Sequence, residues 1–234
     1  MSSNIKFSQK TLSVLANLAQ INQACCLEAG KVLRTTAPDR GMVAIIKIDE
    51  EIPVDFRVYD LPNLITILKM PMFNECEISI TSQLLKISNT KATQDFYAAN
   101  QALVDLPPAD FKPSLSDTKI QGGLSSEDLT HILQVVRAMK HDRLKFAAKD
   151  GQIQLTSYQE QGSETSNNHT LNLGATTSPD FEMSIDPSRV KMLPTDYNFS
   201  AGKGLDGVSD VIIFESIDEA KSITYMIGGV QSDN

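Results

Sequence analysis

The chain has 234 residues, 41% hydrophobic and 21% charged, which is apolar material for one large core or two small ones. A net charge of −8 and a sequence pI near 4.9 exclude the usual basic DNA-binding domain. No apolar run is long enough to span a membrane, and MSSNIKFSQK lacks the apolar core of a signal peptide.

In chain order, a short strand over Ile5–Phe7 leads into a helix over roughly Ser8–Gln23, with Leu12, Leu15, Leu18 and Ala19 at helical spacing. QACCLEA reads as a strand. It holds Cys25 and Cys26, which with Cys76 make an odd count without C-x-x-C spacing, the pattern of reduced thiols used as small core residues. Gly30 precedes the alternating KVLRTT and marks a hairpin. Asp49-Glu50-Glu51 reads as a water-facing hairpin turn. DFRVYDLPNLITIL, Asp55 to Leu68, is a strand ending at a helix-capping Asp60, with Pro62 in the first turn. EISIT, LLKIS and QDFYA are strands. Pro107, Pro108 and Pro113 then hold an extended stretch that divides domain 1 (1–106) from domain 2 (118–234), with 107–117 as the linker.

The second half repeats this order. A strand at Thr118–Ile120 precedes a helix over roughly Ser126–Lys140, capped by Ser125 or Ser126, with Leu129, Ile132, Leu133 and Val136 on one face. Asp150-Gly151 before QIQLTS marks a hairpin. A polar loop, Tyr158–His169, reads as mobile and solvated. DFEMSIDPSRVKML, Asp180 to Leu193, repeats the earlier phrase: Asp186 stands for Asp60, Pro187 for Pro62, and Val190 and Leu193 for Leu64 and Ile67. A fourth helix is expected there. YNFS, DVIIFES and SITYMIGG are strands, AGKGLDG is a loop with Lys203 at its tip, and Asp218-Glu219 is a turn. The phrase and the matching order of elements mark an internal duplication of a unit of about 110 residues.

The charges are partitioned. Lys10, Lys69, Arg137, Lys140, Arg189 and Lys191 fall in the four expected helices past the first turn, leaving 15 of the 21 basic residues to set against all 29 acids. Lys10, Ser13, Asn17 and Gln20 form one polar stripe, and Thr130, Gln134, Arg137 and His141 another, with Lys140 nearer the apolar face. A solvated helix face accounts for one such stripe. Four helices with the same bias indicate a shared positive surface.

Nothing in the sequence demands catalysis. His131, His141 and His169 lack metal-ligand spacing, G-x-S-x-G is absent, and AGKGLDG lacks phosphate-loop order. No cofactor is expected. The glycosylation patterns at Asn168 and Asn198 carry no weight in a cytoplasmic chain.

AQINQACCLEAGKVLRTT followed by DFRVYDLPNLITIL resembles the sliding clamps of T-even-type bacteriophages. The likeness continues through SEDLTHILQVVRAMK and DGQIQLTS to the C-terminal strands, and is weaker from about Met70 to Asp117. The resemblance implies an α+β DNA clamp fold of two repeated domains, each with two helices packed on antiparallel sheets. Such chains assemble as a homotrimeric toroidal ring around double-stranded DNA, closed through head-to-tail interfaces. It implies a non-enzymatic processivity factor for the replicative DNA polymerase, loaded by a clamp loader ATPase in the cytoplasm of the infected bacterial host. It extends to late transcription factors as further partners, though no residue here shows that role.

On this reading Lys10, Lys69, Arg137, His141, Arg189 and Lys191 face the DNA, attracting phosphates weakly and without regard to sequence. Leu106, Phe111, Tyr225, Met226 and Ile227 offer an apolar crevice for a partner peptide. Phe96 and Tyr97 of QDFYA meet Thr170 and Leu171 of the neighbour's HTLNL at the subunit interface. Two other classes fit the same composition: a viral structural protein of duplicated β-rich domains, and an enzyme using His141 and Asp142.

Overall fold

The computed structural model describes residues 4–160, 167–218 and 222–230. The chain divides into two compact units, residues 1–111 and 112–234.

Unit 1 begins with β1 (Asn4–Ile5) and α1 (Gln9–Ile21). Ser8 caps α1 by accepting from the Thr11 N–H at 3.2 Å. Leu12, Leu15, Leu18 and Ile21 recur every three residues and are buried, each contributing about 1.5–3 kcal/mol of burial. The helix stops where Asn22 turns extended, at ψ 128°.

The short β2 (Cys25–Leu27) pairs with β5 (Phe56–Val58), and the hairpin is made by β3 (Gly30–Thr36) and β4 (Met42–Ile52). Gly30, at φ +104°, opens β3, the first strand of that hairpin. The acidic run Asp49-Glu50-Glu51 lies within β4 rather than in a turn. α2 (Leu61–Leu68) follows, its Asn63 N–H bonded to Asp60 at 3.0 Å and its first turn containing Pro62. α1 and α2 pack together. β6 (Glu77–Ile80), β7 (Leu84–Ser88) and β8 (Thr93–Tyr97) complete the sheet β1-β6-β7-β8.

Unit 2 repeats this plan. β9 (Asp117–Leu124) leads into α3 (Ser126–Met139). Ser125 accepts from the Asp128 N–H at 3.0 Å and its hydroxyl meets the Asp128 carboxylate at 2.6 Å. β10 (Arg143–Lys149), β11 (Gln152–Tyr158), β12 (His169–Ala175) and β13 (Phe181–Ile185) form a sheet ordered β12-β11-β10-β13. Asp150 and Gly151, at φ 52° and 73°, make the β10–β11 turn. β14 (Tyr197–Lys203), β15 (Asp210–Ser216) and β16 (Ile223–Gly228) pair in the order β9-β14-β15-β16, the counterpart of β1-β6-β7-β8. The duplication is thus present in topology.

The two cores differ in filling. Unit 1 buries mainly aliphatic side chains. Unit 2 stacks Phe146 on Phe199 and Phe214 edge-on, at 5.3 and 5.9 Å, with Tyr197 and Tyr225 6.0 Å apart.

The expected fourth helix is a single 3-10 turn, Pro187–Arg189. Val190, at φ −80° and ψ 71°, makes a tight turn in which the Lys191 N–H bonds the Arg189 carbonyl at 2.9 Å. Pro194 has no N–H to continue a helix and disfavours helical backbone at Leu193. Ala201, Gly202 and Lys203 belong to β14 rather than to a loop. A side chain at Gly202 would sit 2.0 Å from the Asp117 carbonyl, so the bulge in the β14–β9 pairing there requires glycine. Within the expected polar loop Tyr158–His169, positions 161–166 lie outside the described residues, as does Glu219 of the expected turn.

Candidate nucleic-acid interface and docking edges

The helices present their polar faces unevenly. Lys10 sits in the first turn of α1, where a cation opposes the helix dipole, and its Nζ pairs with Asp49 Oδ1 of β4 at 2.9 Å. The pair is about half exposed, so it holds Lys10 with no more than about 1 kcal/mol and yields readily to a phosphate. Ser13 and Gln20 are exposed, but Asn17 is only 4% exposed and leaves the expected stripe. Lys69 is exposed at the C-cap of α2.

On α3, Thr130, Gln134 and Arg137 are exposed along one face. Lys140 is also exposed, in left-handed backbone at φ 56° that ends the helix, and so lies outside the apolar face where the sequence placed it. Lys69, Arg137 and Lys140 form no ion pair with the described residues.

His141 does not belong to this surface. It is 7% exposed, and its Nδ1 lies 3.0 Å from the Ser157 hydroxyl of β11. The helix ends one residue earlier, so His141 turns inward as the chain enters β10. Arg189 and Lys191 are half-buried, Arg189 donating to the Gly228 carbonyl at 3.3 Å. The 3-10 turn accounts for this: without a helix, neither side chain is carried on an exposed helical face.

The residues expected to receive a partner peptide separate into two groups. Tyr225 and Ile227 are fully buried and belong to the core of unit 2. Tyr225 is held there by its hydroxyl, which accepts from the Leu193 N–H at 3.2 Å, while Tyr197 donates to the Leu193 carbonyl at 2.6 Å. Burial pushes both phenols up in pKa. Alternation along β16 sends Met226 to the other side, where it is half-buried. Leu106 and Phe111, in the proline-rich stretch, are half-buried too. That stretch is fastened to unit 1 by Arg34, which forms a bidentate pair with Glu28 and donates to the Pro108 carbonyl at 2.7 Å. The sequence reading missed this arginine, because its partners lie six and 74 positions away.

β8 and β12 are edge strands of their sheets. Tyr97 is 79% exposed, Thr170 is exposed, and Phe96 and Leu171 are half-buried. Each edge carries main-chain groups with no ladder partner in its own sheet, which suits strand addition.

Among the described residues no group of three or more His, Cys, Asp or Glu is placed to hold a metal, and no helix is long and apolar enough to cross a membrane. The thiols are buried. Burial pushes Cys25 up to about 12, with Cys26 and Glu28 adding to it, and pushes Cys26 up to about 11.

Among the described residues the twice-repeated α+β unit has two packed helices in its first copy and one in its second, and its fold is that of a DNA clamp. The structure of A. fulgidus PCNA bound to the C-terminal region of FEN-1 superposes with a TM-score of 0.65 over 100% of both chains at 12% identity. No protein-family model matches the chain. It is 29% identical to the sliding clamp of Escherichia phage RB69, over 95% of this chain and 96% of that one. It is 28% identical to the sliding clamp of Enterobacteria phage T4, over 88% and 91%. Over most of its length the chain is thus similar to the sliding clamps of T-even-type bacteriophages.

Proposed function

We propose that this protein encircles double-stranded DNA and tethers the replicative DNA polymerase to it as a processivity factor, without catalysing a reaction itself. The observation that carries the reading is the contrast between an acidic chain, at −8, and helix faces that expose Lys10, Lys69, Arg137 and Lys140. Ser13, Gln20, Thr130 and Gln134 dilute these cations on the same helices. Few phosphate contacts release few counterions, so attraction stays weak and the ring slides. The acidic remainder discourages DNA elsewhere. Arg189 and Lys191 contribute as a second tier, since both are half-buried.

The ring is a homotrimer of this two-unit chain, closed head to tail where β8, with Phe96 and Tyr97, adds to the neighbour's β12, with Thr170 and Leu171. Partners dock through short peptides on the linker around Leu106 and Phe111; in the A. fulgidus PCNA structure the bound partner is the C-terminal region of FEN-1. A clamp loader ATPase opens the ring in the cytoplasm of the infected host. The proposal extends to late transcription factors as further partners.

The test is primer extension by the phage-type polymerase and loader on a circular template. The reading expects product length to grow in the presence of the protein. Unchanged product length with a folded, loaded protein contradicts it. Phe111→Ala separates docking from DNA binding, and should abolish polymerase tethering while DNA retention persists.

A further inference from the structure

Two histidines unused by the clamp reading meet on the surface of unit 2. His131 is exposed on α3 and His169 opens β12, 38 positions later. Their Nε2 atoms are 3.1 Å apart, with ring centroids at 5.0 Å and planes inclined by 53°. We propose that His131 and His169 form a two-imidazole site for a divalent transition metal of the zinc, nickel or copper type.

The spacing carries the assignment. A metal holding two imidazole nitrogens at about 2.0–2.1 Å sets them about 2.9 Å apart at a right angle and about 3.3 Å apart at the tetrahedral angle. The observed 3.1 Å lies between these values. For the metal to enter, the proton shared between the Nε2 atoms passes through solvent to Nδ1 of the ring that carried it, so both rings offer an Nε2 lone pair with only small ring adjustments.

Both ligands stand on regular elements, which hold a first coordination shell better than loops do. His131 precedes Ile132, which anchors α3 at 1% exposure. His169 is paired in register with Ser157 of β11, and the adjacent Thr170 and Thr156 hydroxyls meet at 2.9 Å. Glu127, one helical turn before His131, adds negative charge that favours a cation. No third described ligand joins them, so water completes the coordination sphere and the site stays open. Imidazole donors select zinc, nickel and copper over magnesium and calcium. His141, bonded to Ser157 in the interior, is no part of the site.

Binding here staples α3 to the β12 edge and stabilises the folded chain by mass action. The experiment uses the full, untagged chain under reducing conditions, titrated with zinc chloride and with nickel chloride by calorimetry, beside His131→Gln and His169→Gln. All cysteines are retained, so any thiol-bound metal cancels between proteins. The expected result is one saturable equivalent per chain, weakened about tenfold or more by either substitution. A zinc-dependent rise in unfolding temperature should appear only in the parent chain, and magnesium should produce none. Each variant's metal-free unfolding temperature establishes that it is folded, and the other variant serves if one is not. Absence of binding at about 100-fold molar excess overturns the assignment, as does binding that both folded variants retain in full or that magnesium matches.

Discussion

Glu50, inside strand β4, grips the first turn of α1 through Thr11: its carboxylate accepts from the Thr11 hydroxyl and from the Ser8 N–H at 2.5 Å. Beside it, Asp49 pairs with Lys10. The acidic run thus ties the helix that carries Lys10 to the sheet beneath it, and places negative charge where the helix dipole favours it. Glu50→Ala should destabilise unit 1 by about 1.5–3 kcal/mol, because two charge-assisted hydrogen bonds are lost. Urea unfolding followed by circular dichroism measures this. A change below about 0.5 kcal/mol contradicts the assigned role.

The helix cations and His141 should separate cleanly. Lys10→Glu and Arg137→Glu should shorten polymerase products and lessen the salt dependence of DNA retention, with folding and oligomer mass unchanged. His141→Ala should instead cost about 1–3 kcal/mol of stability, because it leaves the buried Ser157 hydroxyl without its partner. Its effect on DNA retention per folded ring should be nil. Processivity assays paired with thermal unfolding distinguish the two patterns.

These contrasts show where sequence reasoning reaches. α1 and α3 were legible because serine caps and apolar residues spaced by three and four agree with each other. The Asp150-Gly151 turn was legible because its two residues tolerate positive φ. The second copy of the repeated phrase misled: it keeps the capping aspartate and the apolar offsets, but Pro194 and the turn at Val190 end the helix after one turn. His141 misled for a related reason. Helical spacing extended past Lys140 puts it on the polar face, whereas the left-handed backbone at Lys140 rotates it into the interior. Glu50, Arg34 and the His131–His169 pair act across long sequence separations that no local pattern encodes.

The buried thiols make stability depend on alkaline pH. Cys25 and Cys26 are held near 12 and 11 in the folded chain against an ordinary value of 9.0. Above pH 9 the unfolded chain has lost protons that the folded chain keeps, so stability present below pH 9 should be lost progressively as pH rises toward 11–12. Denaturation at pH 8, 9, 10 and 11 should show a decline that is shallower in Cys26→Ala. Equal slopes in the two proteins would contradict the assignment, and so would rapid labelling of these thiols by an alkylating reagent in the native state.

The edge strands carry the oligomer prediction. Tyr97→Asp combined with Leu171→Asp puts charge on β8 and β12, the device by which natural edges refuse partners. Sedimentation equilibrium should then find a trimer for the parent chain and a monomer for the double variant, with circular dichroism unchanged. A double variant that stays trimeric places the subunit interface elsewhere.

The central claim is that retention on DNA comes from topology rather than grip. The measurement closest to it compares dissociation of loaded, labelled protein from a nicked circle with dissociation from the same DNA after one restriction cut. A sliding ring remains on the circle and runs off the linear molecule within the assay. Equal dissociation from both, with loading verified, would contradict it.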